Sequence, residues 1–224
     1  MKGKRILIVS LSFIVLGLST VLAFYSIPIA LVVSALSLLF MGLGLFEQKS
    51  ASAEKVVLLA ILTAVASAGR VLFVSLPGAN PVSFIVIMSA LAFGPHFGFM
   101  VGALSALVSN MILGHGPWTL WQMLLWGLMG FISGWLHLFL SKHKWIRAAY
   151  GFLWGFLFGW AMNLYHVFSG YMTDAGIGAF FLASASSFFF DLMHAVSSFI
   201  LLIFLGDVFI KIFKRTALKY GLKD

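Results

Sequence analysis

The sequence predicts an all-α, polytopic membrane protein, with a core of six membrane helices behind an N-terminal transmembrane hairpin, eight helices in all and both termini cytoplasmic. Three observations lead there. Of the 224 residues, 62% are hydrophobic and 9% charged, with a mean hydropathy of +1.10, whereas soluble domains carry about 25% charged residues. Successive apolar runs are each long enough for the roughly 20 residues of a bilayer crossing. Basic residues gather in 2–5, 142–147 and 211–223, the pattern of loops held on the inside of a membrane. That pattern accounts for the net charge of +8, so no nucleic-acid partner is implied. No polar stretch is long enough for a soluble domain. The absence of cysteine excludes disulfides, thiolate metal sites and cysteine nucleophiles.

Taken in order, residues 1–50 form the hairpin and 51–224 the six-helix domain. The basic start and apolar run 6–23, with small residues near Ala23, imitate a secretion signal; the reading adopted is a retained helix, with Pro28 opening a second run over 29–46. A polar linker, 47–55, leads into core helices predicted at 55–76, 81–93, 95–113, 118–141, 146–168 and 184–213. Eight crossings from an inside start place 76–81, 114–117 and 169–183 outside, and the basic segments 142–147 and 211–223 inside. The short second core helix is expected to tilt or to be shielded by its neighbours.

The first core helix carries Ala60, Ala64 and Ala68 on one face. Small residues four apart let another helix approach, because contact within lipid comes from packing. Internal packing and docking of a separate subunit both satisfy this spacing. Arg70 follows in the outer half of the same helix, where a charge costs about 2.5–3.5 kcal/mol on insertion scales and normally faces protein or water. Asp191 and His194, three apart near the outer end of the last helix, share a face. An Arg70–Asp191 pair would fasten the first and last core helices; a ligand-facing role is the alternative.

Between two apolar runs lies Gly114-His115-Gly116-Pro117-Trp118-Thr119-Leu120-Trp121-Gln122-Met123. The glycines and proline break the helix and Trp118 begins the next one, so Trp118 and Gln122, four apart, with Trp121 beside them present aromatic surface next to an amide. The competing role is the interfacial aromatic belt. Asn80 lies in an outer loop, and His166 lies near the end of the fifth core helix beside Asn163 and Tyr165. The connection 169–183, containing Asp174, is a candidate lid. No metal site is expected, since the histidines are scattered without ligand spacing, and His137 and His143 fall on the inner side. A phosphate-binding loop and a nucleophile elbow are both absent.

At these residues the chain resembles a substrate-binding S component of an energy-coupling factor (ECF) type ABC transporter. The likeness covers about 54–213 and rests on the alanine strip, the arginine beyond it and "LAFGPHFGFMVGALSALVSNMILGHGPWTLWQMLLWGLMGFISG". "GHGPWTLWQM" makes it most similar to the cobalamin-specific, CbrT-type subgroup. The resemblance implies a multi-pass protein of the bacterial plasma membrane that binds cobalamin or a related corrinoid from outside. It implies delivery through a transmembrane coupling subunit (T component) and two ATPase subunits, which use the ATP. Cobalamin would be transported ligand; no cofactor of the chain itself is implied. It also implies docking through Ala60, Ala64 and Ala68, and a pocket at the outer loops and helix ends, for which Arg70, Asn80, His115, Trp118, Trp121, Gln122, His166, Asp191 and His194 are the candidates. The extra hairpin departs from the usual six helices. Three alternatives stay open: another vitamin or a modified nucleobase as ligand, an intramembrane enzyme using Arg70, Asp191 and His194 as acid, base and charge stabiliser, and a structural membrane subunit whose alanine strip and tryptophans serve packing alone.

Overall fold

The structure, a computed structural model, describes residues 52–168 and 176–220 with scattered positions between 11 and 40. Eight helices follow from residue 53: α1 (Ala53–Leu72), α2 (Val82–Phe93), α3 (Pro95–Leu113), α4 (Trp118–Trp135), α5 (His137–Leu140), α6 (Lys144–His166), α7 (Gly176–Phe204) and α8 (Gly206–Lys219). No strand occurs among the described residues. By length and composition, α1, α3 and residues 177–204 of α7 are able to cross a membrane.

The short α2 is the post around which the others assemble. Every residue of it except Ala92 is buried, and it touches α1, α3, α4, α5, α6, α7 and α8. A helix apolar on all sides is stable inside other helices. It therefore need not span the lipid, and the shielding expected from its length is complete. Its two internal polar groups are satisfied: the Ser89 hydroxyl donates to the Val86 carbonyl at 2.9 Å and Ser83 meets His194 at 2.7 Å.

Around that post stand two close helix pairs, both built on glycine. Between α3 and α4, a Cβ on Gly98 or Gly130 would collide with the other's carbonyl, and one on Gly102 with that of Trp126. Gly151, Gly155 and Gly159 of α6 lie at one-turn intervals against Leu202, Ala195 and Asp191 of α7. Backbones approach closely only where side chains are missing, which is how helices gain packing energy in lipid.

Three predicted boundaries are corrected. The last helix is two, because the chain breaks at Leu205 and Gly206 packs against the Arg147 guanidinium, leaving no room for a side chain. Arg147, fully buried, pairs with Asp207 at 2.6 Å and donates to the Leu140 carbonyl at 3.3 Å. The amphipathic α8 then turns Phe209, Phe213 and Ala217 toward the core, with Phe213 against Phe93 of α2 at 5.5 Å, and leaves Lys211, Lys214 and Arg215 exposed. The predicted 118–141 helix breaks at Leu136 into α4 and α5. The expected outer connection 169–183 is already helical from Gly176, since 176–183 is apolar and continues the face of α7.

The N-terminal hairpin lies largely outside the described residues. Of its described positions, Leu11, Val15, Val33, Leu36, Ser37 and Phe40 line one apolar groove, and Leu39 joins the buried apolar cluster.

Candidate functional site

Arg70 lies near the C-terminal end of α1 and finds a polar cradle on α3. Its Nη1 donates to the Ser109 hydroxyl and to the Asn110 side-chain oxygen, both at 2.6 Å, and the guanidinium lies 5.0 Å from the Trp126 ring centroid. Asn110 carries the contact onward, its amide donating to Thr119 at 2.9 Å and to the Gln122 carbonyl oxygen at 2.8 Å on α4. Thr119 also meets His115 Nδ1 at 3.3 Å, under the loop where Gly114 takes φ +113°. Hydrogen bonds involving a charged group contribute about 1.5–3 kcal/mol each and a cation over an aromatic face about 0.5–2 kcal/mol. Dipoles and a ring thus offset the roughly 2.5–3.5 kcal/mol insertion cost without a counter-ion among the described residues.

The expected Arg70–Asp191 pair does not form. The Asp191 carboxylate instead accepts from Ser187 one turn away at 2.9 Å, and Ser187 accepts from Asn163 of α6 at 2.9 Å. Buried His194 meets Ser83 of α2. Glycine explains why Asp191 faces α6: at Gly159 a Cβ would occupy the space of its carboxylate. The three groups considered for catalysis therefore each engage a different partner. The two polar clusters meet through an aromatic layer, in which Trp126 stacks on Phe158 at 4.7 Å and Phe158 stands edge-on to His194 at 5.5 Å.

The remaining candidates divide. Trp121 is held, its indole N–H donating to the Ala161 carbonyl at 2.9 Å and its ring stacked on Tyr165 at 6.0 Å. Asn80 is occupied locally, donating to the Gly78 carbonyl and accepting from the Val82 N–H, both at 3.1 Å, which shapes the entry to α2. Trp118 and Gln122 are half-buried and His115 exposed. His166 is half-buried at the end of α6 with Tyr165 edge-on at 5.5 Å. Asp174 lies outside the described residues. Ala60, Ala64 and Ala68 all face outward on α1, between exposed Val57, Ile61 and Val65. Among the described residues, no group of three or more His, Cys, Asp or Glu side chains is placed to hold a metal ion.

Sequence reasoning missed Asn110, the hub of the network, and Trp126, whose buried indole N–H has no hydrogen-bond partner among the described residues. Both left a signal. Asn110 is an amide inside an apolar run, and Trp126 continues the Trp118, Gln122 series at four-residue spacing.

A family model described as "ECF-type riboflavin transporter, S component" matches residues 50–211. The chain belongs to the S components of ECF-type transporters. Neither a curated protein nor a solved structure matches it. As an S component it is a membrane-integral, substrate-binding subunit for a vitamin-type ligand, and not an enzyme. S components work with a T component and ATPases. The match takes in α1 to α7 and the start of α8, and leaves out the N-terminal stretch through residue 49. Its description carries riboflavin, not the cobalamin suggested by Gly114 to Met123 of this S component.

Proposed function

We propose that this S component captures cobalamin or a related corrinoid from outside and delivers it through an ATP-driven ECF module. The observation that carries the reading is the Arg70–Asn110–Gln122 network beneath the Gly114 to Pro117 break. It places a charge, two amides and a hydroxyl beside the half-buried Trp118 and the Trp126 layer at the outer end of the core. A corrin edged with amides asks for aromatic faces and convergent polar groups. In this reading Trp118, Gln122 and His115 touch the ligand, while Trp121 and Asn80 hold the site's shape. Asp191, His194 and His166 border its second side. The outward Ala60, Ala64 and Ala68 receive the coupling subunit.

A second ligand is favoured by one specific observation, the riboflavin in the description of the matched family. A flavin would use the same aromatic surface and amides. One titration separates the two. The chain, purified in detergent, is incubated with cobalamin or riboflavin, freed of unbound ligand and read by visible absorption. Saturable corrin absorbance at one ligand per chain supports the first reading. Flavin absorbance with none from corrin transfers the site to riboflavin, and folded protein that retains neither colour rejects both.

A further inference from the structure

At the inner end of the core, away from the network around Arg70, a cavity of about 450 Å³ opens between α2, α3, α4, α5 and α8. Its floor is apolar, with buried Leu91 and Phe93, its mouth carries the exposed Leu138, and its rim is basic, with Lys142 following α5 and Lys214 on α8. His137 and Ser141 complete the polar edge; among the described residues no acidic one contributes to the lining. The one acid nearby on α8, Asp207, is engaged by Arg147. The N-terminus of the 19-residue α3 also opens here, through Gly94 and Pro95. Trp135, 77% exposed, stands on the rim at the depth where tryptophan marks the membrane interface.

We propose that this cavity binds the phosphate head of an anionic phospholipid from the inner leaflet. Charge complementarity selects the head: Lys142 and Lys214 face one opening to which, among the described residues, no acidic side chain contributes. The apolar floor selects a lipid over a free anion, since Leu91 and Leu138 give acyl or glycerol carbons a surface that inorganic phosphate cannot use. Basic pockets between membrane helices on the cytoplasmic side suit such headgroups. The site would tie α8 to the α4–α5 break and so anchor the inner end of the core in the leaflet, independently of which vitamin is carried.

The test uses the full chain in nanodiscs of phosphatidylcholine with a minor fraction of phosphatidylglycerol, extracted gently and analysed by native mass spectrometry for co-purifying phosphatidylglycerol. Lys142→Gln and Lys214→Gln should each lower retention roughly five-fold, the fold-change matching about 1 kcal/mol per basic residue near a membrane surface. Lys211→Gln, on the exposed side of α8 and absent from the lining, should leave it unchanged. Ser141→Trp, which keeps both lysines but fills the opening, should lower retention at least as far. Equal loss in all three lysine variants would reduce the effect to surface charge and overturn the site. Displacement of the lipid by millimolar inorganic phosphate would reassign the cavity to a free anion. Retention unaffected by Lys142→Gln, Lys214→Gln and Ser141→Trp in monodisperse protein would leave the cavity to another occupant and end the proposal.

Discussion

Arg70 and Asn110 meet at 2.6 Å across the interface of α1 and α3, and Asn110 hands the contact to Gln122 on α4 at 2.8 Å. Three helices are thereby joined through one amide, which accepts on its oxygen and donates from its nitrogen. The arrangement couples the C-terminal end of the helix bearing the alanine strip to the helix that begins at Trp118. A ligand that pulls on Gln122 therefore pulls on α1.

Asn110→Ala removes both halves of this link. Loss of a hydrogen bond to a charged group costs about 1.5–3 kcal/mol, which a lowered Tm in detergent would register, and vitamin affinity should fall because Gln122 loses its restraint. Asn110→Asp keeps an acceptor for Arg70 but no donor for Gln122, so it should retain Tm and still lose affinity. Equal stability of all three proteins would show that the hub carries no energy.

Because Arg70 and Asp191 each have other partners, substitutions at the two should act independently. Arg70→Met and Asp191→Asn, measured singly and together by ligand titration, are expected to add within about 0.5 kcal/mol, as sites without shared partners do. A coupling energy well above that would restore the direct ion pair that the sequence suggests and the geometry does not show.

The α3 boundaries were legible in the sequence because Gly94-Pro95 and Gly114 punctuate both ends. Arg70 was legible as a charge needing a partner, since an arginine in an apolar run has few ways to exist. Its partner was not, because periodicity reports which residues share a face of one helix and says nothing about which helices meet. Asp191 lies in the middle of α7 and Asn110 near the C-terminal end of α3, and the close approach of α6 and α7 at Gly159 turns the Asp191 carboxylate toward α6 rather than Arg70. The break at Leu205 escaped for a related reason: the apolar run continues through it, and what ends α7 is the buried Arg147 packed on Gly206, a contact between residues far apart in sequence.

The α6–α7 interface gives a sharper test of packing. A side chain on Gly155 would collide with the Ala195 backbone, and overpacking a close contact costs about 1–3 kcal/mol or more. Gly155→Leu should lower Tm and disturb the Asn163–Ser187–Asp191 chain along the same interface, whereas Ala149→Leu, on the exposed face of α6, should do neither. If both variants melt like the parent protein, the helices are looser than the glycine contacts require.

The outward alanine face of α1 yields a prediction that separates binding from transport. Ala60, Ala64 and Ala68 are exposed while the neighbouring Leu59, Leu62, Thr63, Ala66 and Ser67 are buried in the core, so a large residue on the outer face displaces nothing inside the chain. Ala64→Trp should leave Tm and vitamin affinity unchanged, yet prevent co-purification with the T component and reduce vitamin uptake to background, because a tryptophan holds apart two helices that small residues allow to touch. Ala64→Gly keeps the surface small and should preserve both. Uptake at the parental rate by Ala64→Trp would move the docking face elsewhere, and loss of vitamin affinity in the isolated variant would show that this face of α1 supports the pocket itself.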